Sequence, residues 1–122
     1  MAACNNTAHQ VYDRISDADS VAINYFKGNG TMDTVIAVKI IRDSIAIKRL
    51  TDFITGNNTP VKNNCGYDGS IHFFKSDFVV QDIFFSSSKN DCMQFRYAEQ
   101  GKQTATALST EANSFLQSLK SK

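Results

Sequence analysis

A chain of 122 residues, 42% apolar and 20% charged, has the size and composition of a single folded domain, which excludes a wholly disordered chain. Its thirteen basic and twelve acidic residues are scattered without a run of like charge, so nucleic acid is excluded as a first partner, because phosphates are held by clustered cations. No apolar stretch reaches the ~20 residues of a membrane-crossing helix; even Thr34 to Ile41 is interrupted by Lys39 and followed by Arg42.

The chain begins Met1-Ala2-Ala3-Cys4 and continues with the polar, turn-prone Asn5-Asn6-Thr7. A small-residue pair before a cysteine resembles the end of a bacterial lipoprotein signal, in which that cysteine is lipidated and becomes the first residue of the mature protein. Met1 stands where such signals carry a leucine-like residue, and the upstream apolar stretch is absent. The resemblance covers four residues. It implies the mature part of a small bacterial lipoprotein, held in the cell envelope (periplasm or outer surface) by a lipid on Cys4 or secreted, with that lipid as its only membrane contact. The alternative is a free thiol in a terminal tail. Residues 1–16 then form a tether or arm and residues 17–122 the domain.

Setting Cys4 aside leaves Cys65 and Cys92, an even count without CxxC spacing. A disulfide in an oxidising compartment is the natural reading, and it would stabilise a small domain by on the order of 3.5 kcal/mol. Two reduced, buried thiols are the alternative.

His9 to Ile15 carries Val11, Tyr12 and Ile15 at helical spacing, as a short helix or an ordered arm. Val21, Ile23 and Tyr25 alternate inward along a strand that Lys27-Gly28-Asn29-Gly30 breaks. Thr34 to Ile41 is continuous and β-branched, which predicts a strand buried on both faces or central in the sheet, paired antiparallel with the first. Asp43 or Ser44 caps a helix with Ile47, Leu50, Phe53 and Ile54 on its core stripe and Gly56 as its stop. Asn57 to Asn64 reads as loop.

After the turn at Gly66 to Gly69, three strands form a meander: Ser70 to Phe74, Phe78 to Phe85, and Cys92 to Ala98. Gln103 to Ala107 suits a polar edge strand. Ser109 or Thr110 caps a last helix with Ala112, Phe115, Leu116 and Leu119 on one face. The order ββαββββα predicts an α+β two-layer sandwich, an antiparallel sheet of about five or six strands with two helices on one face.

The motifs of common chemistry are missing. The two histidines, His9 and His72, have no ligand spacing between them, so neither a metal nor another cofactor is expected. Asp17-Ala18-Asp19 lacks the glycine and further ligands of a calcium loop, and Gly28-Asn29-Gly30 lacks the setting of a nucleotide loop. The best catalytic set is His72 with Asp68 as its orienting acid and Cys92 or one of Ser86 to Ser88 as nucleophile, but nothing in the spacing fixes their geometry.

The aromatic load of the meander says more. Ile71, Phe73, Met93, Phe95 and Tyr97 form one alternating, core-facing set. His72 and Phe74 fall on the other parity, and Phe78, Val80 and Phe84 oppose Val79, Ile83 and Phe85, so one face cannot bury every large side chain unless a β-bulge turns both sets inward or the N-terminal arm covers the rest. The residues left outside, His72, Phe74, Phe78, Phe84 and Arg96, make a candidate binding surface. The expectation is a non-catalytic envelope or secreted module whose partner is a protein or a glycan. The alternatives are a small hydrolase-like enzyme using His72 and a homodimer packed through the sheet face.

Overall fold

The computed structural model describes residues 7–28, 31–62 and 65–121; the lipidation candidate Cys4 lies outside them. In chain order the elements are α1 (Thr7–Ile15), β1 (Ser20–Gly28), β2 (Thr31–Ile41), α2 (Ser44–Ile54), β3 (Asn58–Thr59), β4 (Gly69–Lys75) and β5 (Phe78–Ser86). A 3-10 turn (Asn90–Cys92), β6 (Gln94–Glu99), β7 (Lys102–Ala107) and α3 (Thr110–Lys120) complete the chain. All seven strands share one sheet in the order β2-β1-β4-β5-β6-β7-β3, antiparallel throughout.

The fold is α+β, a sheet with helices, as the patterning predicts, with seven strands instead of five or six. The added strand, β3, is two residues long, too short to carry a period-2 signal. The added helix is α1, whose Val11 and Ile15 are fully buried. One core takes Ile47, Leu50 and Ile54 from α2 and Leu116 from α3. It packs them with α1 against Ile23, Ile71, Phe73, Ile83, Phe85 and Phe95, all on one face of the sheet. That face is the helix side; the other carries no helix among the described residues.

Local chemistry sets the helix ends. Asp43 accepts from the Ala46 amide at 3.1 Å and Ser109 from the Ala112 amide at 3.0 Å, each cap contributing about 1 kcal/mol. Gly56 is not a left-handed stop, since α2 closes one residue earlier: the Thr55 amide donates to the Thr51 carbonyl at 3.0 Å and the Gly56 amide to the Phe53 carbonyl at 3.4 Å. On the core stripe of α2, Thr51 is buried and Phe53 only half-buried, its ring 5.7 Å from Phe115 with the Arg49 guanidinium over both.

Two strand expectations are corrected. β2 lies at an edge of the sheet, with Val38 54% and Ile40 53% exposed, so its unbroken β-branched run does not mark a central strand. β-branched residues suit any pleated position, and the run itself carries no record of how many neighbours the strand has. β7 is not the opposite edge, because β3 pairs with its outer side through Asn58↔Thr106 and Thr59↔Ala105.

Gly69 opens β4 at a crowded place. It sits in register between Tyr25 and Phe85, and a Cβ there would collide with the Phe85 ring and the Asn24 carbonyl. The missing side chain lets the Tyr25 and Phe85 rings meet edge to face at 6.1 Å across the strand.

Candidate functional site

The helix-free face is organised by β4 and β5. Ser70 and His72 are two residues apart on β4 and so share a face, and β5 brings Phe84 opposite Ser70 and Asp82 opposite His72. That register depends on a bulge: Phe73 pairs with Gln81 and Phe74 with Val79, so Val80 is skipped. The skipped residue resolves the parity conflict of the sequence, sending Gln81, Ile83 and Phe85 to the core and Asp82 and Phe84 outward.

Across this face runs a chain of hydrogen bonds. Asn24 on β1 donates its Nδ2 to Ser70 Oγ and approaches His72 Nε2, both at 3.3 Å. Ser70 Oγ lies 2.9 Å from His72 Nε2, and His72 Nδ1 lies 2.6 Å from Asp82 Oδ1. An amide nitrogen only donates, so Nε2 acts as acceptor; the imidazole proton then sits on Nδ1 and is donated to the Asp82 carboxylate. The relay therefore fixes the tautomer and the ring plane of His72.

The expected pairing of His72 with Asp68 does not occur. Asp68 instead accepts from the Ser87 amide at 2.6 Å and the Ser88 amide at 3.0 Å and from the Ser88 hydroxyl, closing the loop after β5. Ser86 donates to the Gly66 carbonyl. Cys92 is bonded to Cys65, with Cα atoms 5.7 Å apart, and so offers no nucleophilic thiol. Ser70 and Asp82 were missed from the sequence. The Ser-x-His spacing on one strand was a visible signal, whereas Asp82 depends on the bulge-shifted register across a hairpin.

Beside the relay lies a groove of about 570 Å³, lined among others by Tyr67, Val80, Asp82, Phe84, Arg96 and Gln103. It exists because β5 and β6 are in register only from Phe84↔Arg96 to Ser86↔Gln94 and then part. Gln81 bridges the parting by donating to the Ala98 carbonyl at 3.2 Å. The disulfide holds the segment before β4 near this opening, where Tyr67 packs on Phe84 at 4.9 Å. Arg96 stacks over Tyr67 at 5.8 Å and donates to Gln103 Oε1 at 3.2 Å.

Of the five candidate surface residues, the structure thus gathers His72, Phe84 and Arg96. Phe74 lies apart from the groove, in a smaller hollow with Ser20, Ala22, Ile40 and Arg42. Phe78 stands at the β4–β5 hairpin, 75% exposed. Among the described residues no group of three or more His, Cys, Asp or Glu side chains is placed to hold a metal ion.

The helix side holds a different polar group. Glu99 on β6 is 1% exposed, and among the described residues neither of its carboxylate oxygens has a hydrogen-bond partner. Desolvation raises its pKa, and the nearby Arg14 charge lowers it by less. The neighbouring Tyr97 hydroxyl is also buried without a partner among the described residues, and burial, with Glu99 adding to it, pushes its pKa up to about 12. Tyr25 is raised to about 12 by burial as well, but donates to the Leu116 carbonyl at 2.6 Å.

The protein is a small α+β domain, one antiparallel sheet with helices packed on it. No family model matches the chain, and no curated protein or solved structure is significantly similar to it.

Proposed function

We propose that this protein is an extracytoplasmic binding module, tethered in the cell envelope by a lipid on Cys4, that takes a glycan in the groove between β5 and β6. The observation that carries this reading is the groove itself, opened where β5 and β6 part. Its aromatic wall of Tyr67 and Phe84 suits the apolar faces of sugar rings, and Asp82, Arg96 and Gln103 supply planar donors and acceptors for hydroxyl groups. The disulfide supports an oxidising compartment. No helix among the described residues is long and apolar enough to cross a membrane, which is compatible with attachment through a lipid.

The test is titration of the ¹⁵N-labelled protein with a panel of envelope oligosaccharides. At least one sugar should shift the amide signals of Tyr67, Phe84 and Gln103, and Phe84→Ala should weaken its binding by at least tenfold. Absence of shifts with every sugar, or shifts confined to other surfaces, would sink the reading. A homodimer packed through the sheet is the second reading, favoured by the exposed Val38 and Ile40 of β2. Light scattering at twice the chain mass would establish it.

A further inference from the structure

We infer that Ser70, His72 and Asp82 form a nucleophilic acyl-transfer site for carboxylic esters, an activity beyond glycan binding and independent of it. Acyl transfer by a serine needs a base on the hydroxyl, a carboxylate on the far ring nitrogen of that base, and a donor facing the developing oxyanion. Here the base contact is Ser70 Oγ to His72 Nε2 at 2.9 Å, and the carboxylate contact is His72 Nδ1 to Asp82 Oδ1 at 2.6 Å. The polarity of the relay is the one catalysis requires, since the Asn24 amide beside Nε2 leaves that nitrogen as acceptor. Asn24 Nδ2, 3.3 Å from Ser70 Oγ, is the donor placed for the oxyanion.

The reaction balances on these groups alone. Ser70 Oγ attacks the ester carbonyl carbon as its proton passes to His72 Nε2, and the oxyanion of the tetrahedral intermediate faces Asn24. The C–O bond to the leaving alcohol breaks, and that oxygen takes the proton from Nε2, leaving acyl-Ser70 and free alcohol. Water then gives a proton to Nε2 as it attacks the acyl group, and Ser70 Oγ recovers that proton as the carboxylic acid departs. Asp82 takes no proton in these steps and acts as a positioning residue, holding the ring and stabilising the imidazolium.

Two features select the substrate class. A lone side-chain amide stabilises an oxyanion less than a pair of backbone donors does, and the ladder of a sheet leaves no backbone N–H free beside Ser70, so esters with good leaving groups are favoured over amides. Ser70 is 3% exposed and faces Phe84 across the strands, so the acyl carbonyl must be presented by a slender ester lying along the sheet.

The experiment uses the full chain with its disulfide intact and the Cys4 thiol blocked by iodoacetamide. Incubation with a fluorophosphonate should add one label, mapped by peptide mass to Ser70. p-Nitrophenyl acetate should release a burst of nitrophenolate equal to the protein present. Ser70→Ala should abolish both signals, and His72→Ala should lower the burst rate by on the order of 10³-fold or more, with partial rescue by added imidazole. Asp82→Asn should lower kcat at least tenfold with KM unchanged, a split that a merely structural role would not produce. Circular dichroism of each variant keeps the comparison to folded protein. The inference is overturned if folded wild type takes no label at Ser70, or if Ser70→Ala hydrolyses the ester as fast as wild type. Neither result would bear on sugar-induced shifts in the groove.

Discussion

On β4, Ile71 and Phe73 point to the helix side and are fully buried, while Ser70 and His72, interleaved with them, point to the open side and are held by hydrogen bonds. The same contrast runs along β5, where Ile83 and Phe85 enter the core and Asp82 and Phe84 line the groove. On the core side stability comes from apolar area and close packing, which tolerate little loss of volume. On the open side the same backbone serves as a rigid frame for polar groups whose geometry, not their burial, is what matters. If that division is correct, substitutions of similar size on the two faces should separate sharply in their effect on folding.

The largest separation is expected between Phe95→Ala and Phe84→Ala. Phe95 is fully buried in the core and should cost about 3–5 kcal/mol when truncated. Phe84 is half-buried against Tyr67 and should cost only about 1–1.5 kcal/mol. Urea unfolding of both variants makes the measurement. Equal losses would mean that the open face is a second core, and would remove the ground for calling it a site.

How far this division was legible in advance depends on the element. Val21, Ile23 and Tyr25, and Ile47, Leu50 and Ile54, announced their buried faces through plain periods of 2 and 3.6. His72, Phe84 and Arg96 were legible as surface because they fell off the core parity. Ser70 and Asp82 were not, because Asp82 reaches His72 only through the β4–β5 register, and a single skipped residue at Val80 decides which side chains of β5 turn outward. β2 was misplaced for a related reason: a run such as Val35-Ile36-Ala37-Val38 carries hydrophobicity, and its pairing partners are set elsewhere in the chain.

A smaller effect should follow from cutting the link between Cys65 and Cys92, which ties a wall of the groove to the turn before β6. The double replacement by serine should lower unfolding free energy by about 2–4 kcal/mol, mostly by restoring freedom to the unfolded chain. Because Tyr67 is two residues from Cys65, its contact with Phe84 should also loosen, so groove amides should broaden or shift in NMR spectra while the core signals of Phe73 and Ile83 stay in place. Uniform changes across both faces would instead mean that the disulfide supports the sheet as a whole.

The smallest effect tests the one place where the helix side breaks its own rule. Glu99 is buried without a hydrogen-bond partner among the described residues, and Arg14, whose charge partly compensates it, donates its Nη1 to Gln81 Oε1 at 3.0 Å. Burial raises the folded-state pKa of Glu99 above the unfolded value of about 4.3, so between those two values the folded protein holds more protons than the unfolded one. Stability should therefore be greatest below the unfolded pKa, decline as pH rises toward the raised folded value, and carry the full penalty of the ionised carboxylate above it. Glu99→Leu removes both the charge and the unpaired oxygens, and should stabilise the protein by about 1–3 kcal/mol at neutral pH. Its gain over wild type should shrink as pH falls through that window. Thermal unfolding of the two proteins from pH 4 to pH 8 reads the difference directly. A gain that does not change with pH would trace the effect to packing, and would return Glu99 to the ordinary physics of the core around it.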